Sequence, residues 1–92
     1  MTDFEQLQIK HYQRWVLYLH KDQSPYVGRC YAAAMRPSAD KVTDMTNVEA
    51  LELLTIVREW SESVGKLYGM SRPNFAILGN EWQHLHAHLV PR

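Results

Sequence analysis

Near its end the chain reads His84-Leu85-His86-Ala87-His88-Leu89-Val90-Pro91-Arg92, an alternation of imidazole and apolar side chains. A period of two belongs to a β-strand, on which successive side chains point to opposite faces. His84, His86 and His88 therefore share one face, and Leu85, Ala87 and Leu89 share the other. One face is suited to chemistry and the other to a core, so the rest of the chain must supply neighbouring strands and a layer to cover the apolar side.

The clearest candidate for that layer is a long helix opening at Thr46. Thr46-Asn47-Val48-Glu49 has the spacing of a capping box, in which the threonine oxygen accepts from the Glu49 amide and the glutamate reaches back. Ala50, Leu53, Val57, Trp60, Val64 and Leu67 follow at steps of three and four and predict the buried stripe, and Gly69 supplies a left-handed end. Upstream, Trp15-Val16-Leu17-Tyr18-Leu19 reads as a strand, closed by a turn at Lys21-Asp22-Gln23-Ser24-Pro25. A second strand runs from about Gly28 through Cys30 and Met35 and stops at Arg36-Pro37; its alanines favour a helix by propensity, but its length between glycine and proline suits a strand. Asn74 to Leu78 predicts a third strand, Gly79-Asn80-Glu81 a reversal, and Gln83 to Val90 the fourth, so the last two form a hairpin. A short helix is expected over residues 2–13, with Thr2 or Asp3 as cap and Phe4, Leu7 and Tyr12 at roughly helical spacing.

These elements predict one α+β domain over residues 1–92: an antiparallel sheet of four or five strands, the long helix on one face, the short N-terminal helix beside it, and pairing into a homodimer. Ten basic and ten acidic residues cancel without forming a run, which argues against a nucleic-acid polymer as partner. No apolar stretch approaches the roughly 20 residues that span a bilayer, so no membrane partner is expected. Cys30 is the sole cysteine, and Met1-Thr2-Asp3-Phe4-Glu5 lacks the order of a signal peptide, so a cytoplasmic protein is expected. Cys30, on an apolar strand with no basic neighbour in sequence, reads as a buried small residue, and Trp60 and Trp15 read as core. His11 and His20 read as surface or capping residues, and Trp82 as equally suited to touching a ligand or not.

An imidazole titrates near pH 6.5, close to working pH. A row of three can attack phosphorus, donate to a leaving group and stabilise phosphoryl oxygens. The same row could ligate zinc on a strand, although no carboxylate or further histidine stands at an obvious supporting position.

His-x-His-x-His with apolar residues between, ending Leu-Val-Pro-Arg, resembles the signature strand of the histidine-triad superfamily of nucleotide hydrolases and transferases. Leu78-Gly79-Asn80, the Asp22-Gln23 turn, Gly28 opening a strand that closes at Arg36-Pro37, and the helix capped at Thr46 fall in the family's order. The resemblance, covering residues 15–92, implies His86 as the nucleophile on an α-phosphate, with a covalent nucleotidyl-histidine that water cleaves, and His84 and His88 as flanking groups that hold phosphate oxygens and orient it. It also implies Asn80 and Gln83 as contacts to phosphates and leaving group, and Leu17, Leu19 and Asp22 as lining the ribose and base pocket. Many members carry a fourth histidine after the glycine matching Gly28; here that residue is Arg29, which pairs with a phosphate or points to solvent. The implied substrate is a dinucleoside polyphosphate, as in the bacterial diadenosine polyphosphate hydrolase-like branch, or a nucleotide phosphoramidate. No cofactor is required beyond a divalent cation that could accompany the substrate. A nucleotide-binding regulatory module that has lost turnover is the alternative from another class, and a metal-binding protein a third.

Overall fold

The computed structural model describes residues 7–24, 26–69, 72–77 and 83–91. Five strands, β1 (Gln8–His11), β2 (Trp15–Leu19), β3 (Cys30–Ala34), β4 (Asn74–Ala76) and β5 (His86–Val90), form one antiparallel sheet in the order β1-β2-β3-β5-β4. One long helix, α1 (Asn47–Tyr68), covers a single face. β3 is the middle strand and is buried along its whole length. Its run of Ala32, Ala33 and Ala34 is thereby explained, since small side chains let bulky neighbours meet across both faces.

The register divides the side chains between two faces. Trp15 lies opposite Ala34, Leu17 opposite Ala32, and Ala32 opposite Ala87, while Leu19 faces Cys30 and Cys30 faces Leu89. These residues join Leu53, Ile56, Trp60 and Val64 of α1 in one hydrophobic core. Residues of the other parity, Val16, Tyr18, Ala33, Tyr31, His86 and His88, lie on the side away from α1.

The two ends of α1 match the sequence expectation. Thr46 Oγ1 accepts from the Glu49 amide at 3.1 Å, Glu49 Oε1 accepts from the Thr46 amide at 2.8 Å, and Gly69 closes the helix at φ 69°. Glu49 also accepts from Arg36 Nε at 3.1 Å and Nη2 at 2.9 Å, and that guanidinium holds its carboxyl down at about 2. The start of the helix is thereby fastened to the loop that follows β3. Trp15 Nε1–H donates to the Glu49 carbonyl at 2.9 Å, so the first turn is fastened to β2 as well.

Four details depart from the sequence reading. Within the expected N-terminal helix, Gln8–His11 is instead the edge strand β1, paired with β2 through Lys10–Leu17 and His11–Val16, with a bulge between Gln8 and Lys10. A short isolated helix is marginal in water, and this segment is exposed throughout, with no apolar face for a helix to bury; the ladder to β2 decides the outcome. Residues 2–6 of that expectation lie outside the described residues. The buried stripe of α1 is Glu49, Leu53, Ile56, Trp60 and Val64, whereas Leu67 is 71% exposed. The last strand starts at His86 rather than Gln83: the Leu85 carbonyl still accepts from the amide of Ala34, the last residue of β3, at 3.0 Å, but its own amide donates to Ala39 O in the loop beyond at 3.1 Å. The third strand ends at Ala76, and Leu78 is outside the described residues. Among the described residues no helix is long and apolar enough to cross a membrane.

The capping bond sets the start of α1, so Thr46→Ala is expected to cost about 1 kcal/mol, a fall in melting temperature of about 4 to 8 °C for a domain of this size. Val48→Ala, at a position 50% exposed, should stay within about 0.5 kcal/mol; thermal denaturation of the two variants checks both.

Candidate functional site

The site is built on β5. His86 is 6% exposed, and its Nδ1–H donates to the carbonyl of His84 at 2.7 Å. In a neutral imidazole this bond places the proton on Nδ1 and the lone pair on Nε2. The Nε2 atoms of His86 and His88 are 3.2 Å apart, so His88 Nε2–H donates to His86 Nε2. The rings meet edge to face, 4.8 Å between centroids. One hydrogen bond thus fixes the tautomer of His86 and a second orients its Nε2.

His84 lies just before the strand. Its Nε2–H donates to the Ala34 carbonyl while its own carbonyl holds His86, so backbone and side chain both fasten the start of β5 to the end of β3. Of the three imidazoles, His86 and His88 meet through their Nε2 atoms, while the His84 ring is turned to the Ala34 carbonyl.

Around the pair the sheet face is aromatic and cationic. Tyr31 of β3 lies opposite His88, and Tyr18 of β2 lies opposite Tyr31, their rings stacked at 5.0 Å. The β2–β3 ladder extends by one bond, His20 N donating to Arg29 O at 2.9 Å, and the His20 ring meets Tyr31 edge-on. Burial, then the charges of His86, Arg29 and His20, lower the pKa of His88 below its ordinary value, and burial and Arg29 lower that of His20. Arg29 therefore acts on the site as a cation, and His88 is held as a neutral donor at neutral pH.

The placement of Arg29 follows from its neighbours. Gly28 has φ +97°, a region few side chains adopt, and a Cβ there would lie 3.0 Å from Val64 and 3.1 Å from Tyr68. Its carbonyl accepts from Trp60 Nε1–H at 2.9 Å. Gln23 closes the loop from the other side, donating to the carbonyls of His20 at 2.6 Å and Arg29 at 2.9 Å while accepting from the Gly28 amide at 2.7 Å. The end of β2 and the start of β3 are locked against α1 by these contacts.

The other sequence-predicted residues divide. Asp22 is exposed in the turn after β2; its amide donates to His20 Nδ1 at 3.0 Å and its Oδ1 accepts from the Ser24 amide at 3.2 Å, at the rim of the same face. Gln83 is exposed three residues before His86. Leu17 and Leu19 are not brought to the histidines: their parity on β2 turns them toward α1, where they border a 340 Å³ cavity with Cys30 and Trp60. Asn80, with Glu81 and Trp82, lies outside the described residues. Cys30 is buried and burial pushes its thiol up to about 11, which suits the packing role read from the sequence. Among the described residues no group of three histidine, cysteine, aspartate or glutamate side chains is arranged to hold a metal ion.

Sequence reasoning passed over His20, Tyr18 and Tyr31. The signal was present as parity, since Tyr18 and His20 alternate with Leu17 and Leu19, but only the register shows that this parity meets His88.

Because its folded pKa is depressed, His88 takes up its proton later than the unfolded chain as pH falls, and stability contributed by the neutral ring is lost below about pH 6.5. His20 acts in the same direction. Ring titrations followed by NMR should place His88 below that value, and Arg29→Gln should move it upward; no movement would remove Arg29 from the site's electrostatics.

No family model matches the sequence, and no curated protein matches it. Solved structures do. A histidine triad protein from Bradyrhizobium japonicum aligns over 100% of this chain and 69% of its own, with a TM-score of 0.80 and 22% identity. A histidine triad protein from Sinorhizobium meliloti 1021 aligns over 100% of this chain and 68% of its own, at 0.78 and 19%. A zinc-bound histidine triad family protein from Mycobacterium smegmatis covers 94% of this chain and 65% of its own, at 0.72 and 19%. The chain thus spans about two thirds of the length of these structures, and it has the fold of histidine triad proteins.

Proposed function

We propose that the chain is a member of the histidine-triad superfamily and a nucleotide hydrolase or nucleotidyl transferase acting at an α-phosphate. The observation that carries this reading is the pair of bonds on His86: Nδ1–H to the His84 carbonyl and Nε2 to His88 Nε2. The first puts the lone pair on Nε2, and the second holds that lone pair against His88 Nε2–H until phosphorus takes His88's place, on a sheet face where donors and a cation gather to meet an anionic phosphorus centre.

In the first step the Nε2 lone pair forms a bond to the α-phosphorus, and the bond from phosphorus to the leaving oxygen or nitrogen breaks with its electron pair. The leaving group takes a proton from solvent, and positive charge on the imidazole is opposed by the His84 carbonyl. His88, displaced from Nε2 by the new bond, can donate to a phosphoryl oxygen. In the second step water attacks phosphorus, the N–P bond breaks, its pair returns to Nε2, and the proton of the attacking water leaves to solvent. Asp22 at the rim is suited to accepting from ribose hydroxyls, and Asn80 and Gln83 are proposed on the phosphates and leaving group. A divalent cation would enter on the substrate's phosphates. A homodimer in the cytoplasm remains part of this proposal; sedimentation reads the pairing.

Arg29 in place of a fourth histidine favours one second reading, a module that binds nucleotide with little turnover. Zinc held by His86 and His88 is less well supported, since Arg29 stands beside them as a positive charge.

Incubation with diadenosine tetraphosphate and with an adenosine phosphoramidate, following AMP release, tests the proposal. His86→Ala should reduce release by about a thousandfold or more, whereas bound nucleotide without AMP from the unaltered protein supports the binding module. Activity that follows added zinc and disappears with a chelator would overturn the metal-independent nucleophile.

A further inference from the structure

Beyond the histidine pair, the same face of the sheet carries a cation whose side chain is left without an acceptor. Arg29 Nε is fully buried and has no hydrogen-bond partner, and among the described residues none of the ion pairs includes Arg29. Buried donors are almost always satisfied, and an orphan calls for an explanation, a catalytic role or a bound ion among them. The backbone of Arg29 is held on three sides, its amide by Tyr26 O at 3.2 Å and its carbonyl by His20 N and Gln23 Nε2. The guanidinium is therefore delivered by a rigid loop, with Gly28 pressed against α1 beneath it.

His20 stands across from it. With Nδ1 accepting the Asp22 amide at 3.0 Å, the neutral ring carries its proton on Nε2, a donor. Its edge-on contact with Tyr31, and the register that sets Tyr31 opposite His88, put this donor on the triad face. A planar guanidinium beside a neutral N–H donor matches the oxygens of a phosphate.

We propose that Arg29 and His20 form a second anion subsite beside His86 and His88, which takes the phosphate adjoining the one attacked in a nucleoside polyphosphate. The inference rests on the nucleotidyl-transfer reading for its orientation, and it deepens that reading by naming oligophosphate-bearing nucleotides as the preferred substrate class. A phosphoramidate, with one phosphorus, leaves this subsite empty.

The test separates binding from turnover by using inorganic tripolyphosphate and inorganic phosphate as probes on the full chain. Calorimetric titration of the unaltered protein should show tripolyphosphate binding at least about tenfold tighter than phosphate, the difference expected of one charge-assisted contact. Arg29→Gln should erase that preference, Arg29→Lys should restore part of it by returning charge without the planar fork, and His20→Asn should weaken it. His86→Ala should keep an Arg29-dependent preference even though nucleotidyl transfer is lost, so failure of the hydrolase reading would leave this result standing. Tripolyphosphate bound equally by Arg29→Gln, with its fold confirmed by circular dichroism, or no preference in the unaltered protein, would overturn the subsite.

Discussion

The register of β5 is the constraint on which the rest depends. Leu85, Ala87 and Leu89 are each at most 1% exposed beneath α1, and the residues between them carry the imidazoles. A slip of one residue would exchange the faces, driving the histidines into the core and the leucines out of it. Each of these leucines favours the same register by removing apolar surface from water. The hydrophobic core therefore specifies which way the chemistry faces, and the site inherits its precision from packing on the opposite side of the sheet.

A similar transfer of order runs from α1 to the β2–β3 loop. Trp60 and Val64 meet Gly28 from below, and the next residue in the chain is Arg29, set toward the histidine side. At the other end of the helix, Glu49 gathers the Thr46 amide and the Arg36 guanidinium, tying the helix start to the strand that adjoins β5. The helix contributes no residue to the histidine face, yet it fixes two of the strands that do.

Much of this was legible in the sequence, for identifiable reasons. The alternating histidines announced their strand, and the Thr46–Glu49 pair and Gly69 announced both ends of α1, because alternation and capping are local signals that tertiary structure rarely overrides. The edge strand at Gln8–His11 was hidden because its reason lies in β2, not in its own residues. A family likeness names the strand of Leu17 and Leu19 and leaves the faces of its residues to the register, which turns these two toward α1. His20 was passed over as a single histidine near the end of a strand, and its place on the site emerges only when β2, β3 and β5 are laid side by side. Arg29 was ambiguous in sequence between phosphate and solvent; its buried, partnerless Nε distinguishes it from an ordinary surface arginine.

The central claim is that His86 Nε2 is a nucleophile rather than a binding group, and acid-stable handling is the wrong way to see it because a phosphoramidate bond is labile to acid. Rapid mixing with diadenosine tetraphosphate, a neutral denaturing quench, and intact and peptide mass spectrometry would look for the adduct directly. The account predicts one nucleotidyl group per chain on the peptide bearing His86, appearing before steady turnover and attached at Nε2. Turnover with no adduct at any quench time, or an adduct on another residue, would contradict it.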